Sequence, residues 1–113
     1  MTHKYKTLGQ MQIALADTDY ILYTVPNDGS VKSVIIAYCS VTAKTNNSKF
    51  RLSIVPNGDI LGDKNVINFD ELIEPGRGRT KLQSTTLQPG DRVYIRANTA
   101  ANLSLSLFGD EIS

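Results

Sequence analysis

Two consecutive segments near the end of the chain decide the fold class. They are Arg92-Val93-Tyr94-Ile95-Arg96-Ala97 and Leu103-Ser104-Leu105-Ser106-Leu107, and the turn sequence Leu87-Gln88-Pro89-Gly90-Asp91 precedes the first of them. In both segments apolar and polar residues alternate with a period of two, which is typical of a strand with one face on a core and the other in water. The segments therefore predict β-structure, and neither contains a group that points to catalysis.

The rest of the chain contains further short apolar segments, mostly separated by turn residues. The strand candidates are residues 10–15, 20–25, 31–41, 50–54, 60–61, 66–69 and 80–86, while residues 70–74 suit either a strand or one helical turn. No stretch of about 12 residues has the 3.6-residue period of a helix. We therefore predict an all-β protein, an antiparallel β-sandwich of jelly-roll-like form with seven or eight short strands.

A single domain accounts for the chain, because 113 residues is close to the usual size of one hydrophobic core. Residues 1–10 are polar and show no clear period, so we predict an extended N-terminal arm there and one sandwich domain over residues 11–113. Segment 31–41 carries apolar side chains on both faces. This pattern predicts a central strand that is covered on both sides, or covered on one side by a neighbouring subunit.

Composition restricts the classes of partner. The formal net charge of +1 supplies no strong positive field, so we expect no specific nucleic-acid binding. No apolar run approaches the roughly 18 residues of a membrane helix, so no membrane partner is expected. The chain begins without the apolar region of a secretory signal peptide, which favours folding in a reducing cytoplasm. Cys39, the single cysteine, lies in an apolar run and is predicted to be buried.

Residue types that carry catalysis or bind metals are scarce. The single histidine, His3, falls in the predicted arm and is expected to be solvated, which leaves a nucleophile without a base. Zinc requires three or four ligands, and this chain has one histidine and one cysteine. The segments 17–19 and 59–63 lack the alternating oxygen ligands of a calcium-binding loop. We expect no enzyme activity, no metal and no cofactor. The acidic residues near one turn are interpreted as a solvated face: Asp70, Glu71 and Glu74.

Two polar groups remain as candidate contact surfaces. The basic segment Gly76-Arg77-Gly78-Arg79 suits docking on an acidic protein surface or on phosphates, or it is a solvated loop. The side chains of Arg92, Tyr94 and Arg96 share the outward face of one predicted strand. Such a stripe suits a subunit interface, where arginine and tyrosine are enriched, or a sugar-binding surface.

Four short motifs in a fixed order carry a resemblance to a known group of proteins. They are Lys6-Thr7-Leu8-Gly9-Gln10, then Leu22-Tyr23-Thr24-Val25-Pro26, then Leu87 to Val93, and finally Leu103 to Gly109 with a short acidic tail. The series resembles small virion structural proteins of tailed bacteriophages, including cyanophages. The similarity spans nearly the whole chain, with a looser match over residues 42–82.

The resemblance implies a non-enzymatic β-sandwich displayed on a virus particle, made in the host cytoplasm and located in the virion. Such proteins resemble capsid decoration or cement proteins and often form trimers. We accordingly expect a homotrimer that binds at junctions between subunits of the major capsid protein. The residues expected to contact partners lie in the arm, the basic loop and the stripe: Lys4, Lys6, Thr7, Leu8, Gln10, Arg77, Arg79, Arg92, Tyr94 and Arg96.

Two other functions fit the same features. One is a tail, baseplate or fibre component that binds host-surface glycans, through the stripe at 92–96 or the loop at 42–49. The other is a cellular carbohydrate-binding or scaffold module, which would share the same sheet.

Overall fold

The computed structural model describes residues 2–113, which form nine β-strands and one 3-10 turn at Asp63–Asn65. No helix within these residues has the length and apolar character needed to cross a membrane. The strands are β1 (His3–Gln12), β2 (Tyr20–Thr24), β3 (Ser33–Ala43), β4 (Ser48–Val55), β5 (Val66–Ile73), β6 (Arg79–Lys81), β7 (Thr85–Leu87), β8 (Arg92–Ala97) and β9 (Leu103–Ile112).

Two antiparallel sheets pack face to face, which confirms the predicted β-sandwich. Sheet A has the order β1-β9-β3-β6, and β7 also pairs with β3, while sheet B has the order β2-β8-β4-β5. The strand count is higher than the predicted seven or eight because the segment 79–87 forms two strands of three residues each. Residues 70–74, predicted as a strand or a helical turn, lie mostly in β5.

The prediction of an extended N-terminal arm over residues 1–10 is wrong for the described part of that segment. Residues 3–12 form β1, the edge strand of sheet A, which pairs along its length with β9. The period is hidden in the sequence because a β-bulge between Thr7 and Gly9 changes which side chains face inward. A Cβ atom at Gly9 would collide with the carbonyl oxygen of Leu22, so only glycine permits this approach of β1 to β2.

A second bulge explains the apolar residues on both faces of segment 31–41. The register of β3 against β9 shifts between Ile36 and Tyr38, so the inward set changes from even to odd positions. Val34 and Ile36 are buried before the shift, and Cys39, Val41 and Ala43 are buried after it. β3 is central in sheet A, as predicted, and its burial of Cys39 confirms the expected position of that residue.

Apolar side chains from inward positions form the core between the sheets. A loop over residues 56–65 then folds across the outward face of sheet B, where it covers Val55 and Ser53 at 0% and 3% exposure. The largest fully buried core side chains are Phe50, Ile13, Ile36, Leu52, Ile73, Leu87, Ile95, Leu103, Leu105 and Leu107.

Candidate functional site

The five candidate contact residues of the predicted arm all lie in β1, where several are already in contact with the domain. Lys6 Nζ is 3.1 Å from Glu111 Oε1, and Gln10 Nε2 donates to Ser106 Oγ over 3.2 Å. Leu8 is partly buried against the core, whereas Lys4 and Thr7 are exposed. These five residues therefore belong to a paired strand, and only some of their side chains are available to contact a partner.

The two arginines of the basic loop have different environments. Arg77 is exposed in the turn after β5, and its backbone N–H donates to the carbonyl oxygen of Glu74. Arg79 lies in β6, where its Nε is 3.6 Å from Glu71 Oε2, and Lys81 Nζ is 2.7 Å from Glu71 Oε1. These contacts join the β6 edge of sheet A to the β5 edge of sheet B, so Arg79 has a structural role and Arg77 is the freer charge.

The stripe Arg92, Tyr94 and Arg96 lies on the outward face of β8, as the alternation predicts. Its charges are largely occupied by contacts within the chain. Arg92 Nη2 donates to the Asp59 carbonyl oxygen over 2.5 Å and Nη1 donates to Tyr94 Oη over 3.3 Å. Arg96 Nη1 is 3.5 Å from Asp19 Oδ2. A glycan platform on this stripe would have to displace these contacts.

The outward face of sheet A carries an aromatic patch that the sequence patterns did not reveal. We use this name for the outward residues Tyr5, Ile35, Tyr38 and Phe108; Tyr38 pairs with Phe108, and Tyr5 and Ile35 pair with Asp110 from either side of β9. The rings of Tyr38 and Phe108 have centroids 5.0 Å apart, and the Tyr5 side chain is 77% exposed. Because the β3 bulge moves Tyr38 onto the outward face, simple alternation could not have identified the patch.

His3 borders the aromatic patch and is exposed, as expected from the sequence, but it also contacts Asp110. Its Nδ1 lies 2.6 Å from Asp110 Oδ2, and the Asp110 side chain is 8% exposed. Asp110 Oδ1 is buried with no hydrogen-bond partner among residues 2–113. The cross-strand pairing of β1 and β9 creates this contact between residues that are 107 positions apart.

A polar cluster of Tyr23, Glu111 and Lys6 connects the sheets at the β1–β2 edge. The Tyr23 hydroxyl donates to Glu111 Oε2 over 2.7 Å, and the Glu111 side chain is 12% exposed. Burial, and then the hydrogen bond to Glu111, raise the pKa of Tyr23 well above its usual range. Burial alone would raise the pKa of Glu111, but the hydrogen bonds from Tyr23 and Lys6 lower it overall.

The cluster makes stability depend on pH. A carboxylate whose pKa is lower in the folded state stabilises the fold above its unfolded pKa, near the ordinary 4.5, and that contribution disappears as the pH falls through the folded pKa. We expect Glu111→Gln to lower the free energy of unfolding by about 1–3 kcal/mol at pH 7, with a smaller difference from wild type in acid. Urea unfolding at pH 7 and in acid measures this difference in the free energy of unfolding. Glu74→Gln is the control, because Glu74 is exposed. A difference that does not change with pH would contradict the assignment.

Among the described residues, the Cys39 thiol and the His3 imidazole are not brought together. Burial raises the pKa of the Cys39 thiol to about 12, which keeps it protonated at neutral pH. Cys39 faces the core from β3, whereas His3 lies on the outward face of the same sheet. Within residues 2–113 there is no group of three or more His, Cys, Asp or Glu side chains arranged to hold a metal ion.

A polar pocket of about 160 Å³ lies on the outward face of sheet B, beneath the loop 56–65. Asn65 shapes this loop, because its Oδ1 accepts from the Gly62 N–H over 2.8 Å and its Nδ2 donates to Asp59 Oδ2 over 3.4 Å. Hydrogen bonds from the Ile60 N–H, Lys64 and Asn65 lower the pKa of Asp59, so it stays ionised. The pocket is lined by Asp19, Arg51, Ser53, Leu61, Gly62, Asp63 and Val66.

Comparison with known proteins shows the fold alone. No protein-family model matches the sequence, and no curated protein sequence matches it. A subunit of the disulfide-linked pili of Bacillus endospore appendages is similar in structure, with a TM-score of 0.61 and 14% identity over 99% of this chain and 88% of that chain. A chain of infectious bursal disease virus, Gx strain, is similar with a TM-score of 0.59 and 10% identity.

The match to the virus chain covers 97% of this chain and 30% of the virus chain, so this protein spans less than a third of that neighbour. Both neighbours belong to assembled structures, a pilus and a virus particle. At these identities the comparisons establish the β-sandwich and leave the specific function to be proposed.

Proposed function

We propose that this chain is a structural protein of a bacteriophage particle, a decoration or cement protein that forms a homotrimer and stabilises the shell. It binds where subunits of the major capsid protein meet and acts through its surfaces, without catalysing a reaction. The resemblance of its four ordered motifs to small phage virion proteins supports this function. The similarity of its fold to components of a virus and of a pilus supports a role in an assembly more generally.

The aromatic patch is the observation that carries the proposal. The outward face of an antiparallel sheet is normally polar when it faces water. Here Tyr38 and Ile35 are 40% and 38% exposed on the central strand, and Phe108 packs beside Tyr38. Contiguous exposed apolar side chains mark interaction sites, and aromatic residues are enriched in interfaces. We assign this face to contacts between copies of the chain.

Capsid binding is assigned to the exposed charges away from the aromatic patch. Lys4 at the edge strand and Arg77 in the turn after β5 are both exposed, so they are available to acidic surfaces. Each such contact contributes about 0–1 kcal/mol on its own. A trimer presents three copies of every contact to neighbouring capsid subunits, and this avidity multiplies a weak single interaction.

The contacts between copies are non-covalent in this proposal. The pilus neighbour is described as disulfide-linked, whereas Cys39 is the single cysteine of this sequence and is 0% exposed. A thiol held in the core cannot pair with another copy without unfolding of β3. Burial of apolar surface therefore has to provide the stability of the trimer.

Substitution in the aromatic patch tests the contacts between copies. We expect the purified protein to be a trimer by light scattering, and Tyr38→Ser to weaken self-association by about tenfold or more, because central aromatic residues dominate interface energies. Phe69→Ser is the matched control, since Phe69 is 52% exposed but lies on sheet B. A monomeric wild-type protein, or equal weakening by both variants, would exclude this interface.

Particle imaging tests the location. We expect density for this chain on the head of the virion, at junctions between capsid subunits, with reduced occupancy when Arg77 is changed to glutamate. Density confined to the tail or baseplate would refute the cement function and support the tail alternative. Recovery of the protein free of any particle would refute both.

A further inference from the structure

We propose that the pocket on sheet B binds a single neutral sugar ring. The pocket is separate from the aromatic patch, because the two lie on the outward faces of opposite sheets. The inference goes beyond the structural function above and does not depend on it. It rests on unused polar groups at the pocket, on the balance of charges around it and on its size.

One buried polar atom at the pocket has no hydrogen-bond partner within residues 2–113, the Nε of Arg51. Ser53 also lines the pocket, and its hydroxyl takes part in none of the side-chain hydrogen bonds formed by the same residues. Buried polar groups are normally hydrogen-bonded, and an unmade bond is unfavourable. A ligand hydroxyl that bonds to Ser53 gives that hydroxyl a partner.

The Arg51 guanidinium is held in a fixed position beside the pocket. Its central carbon lies 4.7 Å from the centroid of the Phe69 ring, and its Nη2 is 3.1 Å from Asp70 Oδ2. Arg51 is also directly opposite Arg96 in the β4–β8 pairing, and Arg96 contacts Asp19 on the pocket rim. Such a site is preorganised, so little side-chain ordering opposes binding.

The charges around the pocket select a neutral ligand with both donors and acceptors. Asp19 and Asp63 line the pocket, so an anionic ligand would meet two carboxylates. Arg51 disfavours a cation, and within residues 2–113 no three His, Cys, Asp or Glu side chains are grouped to hold a metal ion. A sugar hydroxyl can donate to a carboxylate and accept from an arginine or serine at the same time. Leu61 and Val66 provide the apolar wall against which the C–H groups of a pyranose pack.

The size of the pocket limits the ligand to one ring. Its volume of about 160 Å³ is below the range of roughly 300–1,000 Å³ typical for drug-sized ligands. Gly62, which carries no side chain, forms part of the lining. A terminal or branch residue of a glycan fits this geometry better than an internal segment bound along a groove.

An NMR titration of the intact protein tests the proposal, with methyl glycosides of glucose, galactose, mannose and N-acetylglucosamine as neutral probes. We expect at least one probe to shift the amide signals of residues 61–66 saturably, with a Kd of about 1 mM. Methyl glucuronide, which carries a carboxylate, should bind more weakly than methyl glucoside. Absence of saturable shifts with all four neutral probes, or tighter binding of the glucuronide, would overturn the inference.

Paired variants separate a specific site from general surface effects. Ser53→Ala and Asp63→Ala each remove one group at the pocket, and each should weaken binding about three- to tenfold, as expected for one hydrogen bond. Ser40→Ala, on the outward face of sheet A, and Glu74→Ala, an exposed carboxylate after β5, are the matched controls and should bind as wild type. Equal affinity of all four variants would show that the probes bind elsewhere.

Discussion

Deletion of residues 1–10 is expected to abolish stable folding, with a loss of about 5 kcal/mol or more, comparable to the whole stability of a small domain. The deleted segment supplies most of β1, whose residues from His3 to Gln10 pair with β9. It also removes the Lys6 contact with Glu111 and the packing of Leu8 on the core. The remaining chain would expose the edge of β9, an unprotected strand edge that promotes aggregation.

Circular dichroism and thermal unfolding of the truncated protein measure this effect, and Lys4→Ala is the control. Lys4 lies in the same strand but is exposed, so its truncation should change the free energy of unfolding by about 0.5 kcal/mol or less. If the truncated chain instead unfolds at the wild-type temperature, residues 1–10 are a dispensable arm and the pairing of β1 with β9 makes no net contribution. In that case residues 1–10 would again be the segment expected to bind the capsid.

Strands with regular alternation could be predicted from the sequence because their inward and outward residues keep one period. β8 shows this, since Val93, Ile95 and Ala97 are buried between outward Arg92, Tyr94 and Arg96. β4 follows the same pattern, with Phe50 and Leu52 inward and Arg51 outward. Turn residues flank both strands and indicate where each strand begins or ends. The β-sandwich could therefore be predicted without knowing which strands pair.

The elements that sequence patterns missed depend on irregular geometry or on long-range contacts. Bulges at Leu8 in β1 and Ala37 in β3 interrupt the period of two, which concealed an edge strand and the outward position of Tyr38. The contact of His3 with Asp110 follows from strand pairing across the whole chain. The polar pocket is similarly non-local, because β4, β5, the β1–β2 connection and the loop 56–65 contribute to it together. No local pattern encodes such a combination.

Phe50→Ala is expected to destabilise the fold by about 3–5 kcal/mol, the range for removing a buried phenylalanine ring and leaving a cavity. Phe50 is 0% exposed in the core, and its neighbours there include inward residues of both sheets. The effect on assembly should be indirect: trimer formation and particle binding are lost only to the extent that the domain unfolds. Measurement of self-association below the unfolding temperature distinguishes this from the direct effect of Tyr38→Ser.

Phe69→Ala provides the matched comparison, because Phe69 is the same residue type in the adjacent strand β5 but is 52% exposed. Its loss removes mainly the contact with the Arg51 guanidinium, so we expect a change of about 1 kcal/mol or less in urea unfolding. The two phenylalanines thus separate the roles of the two faces of sheet B: the inward face holds the sandwich together, and the outward face positions Arg51 at the pocket. Equal destabilisation by both substitutions would mean that the outward face is itself buried, by another copy or by a partner.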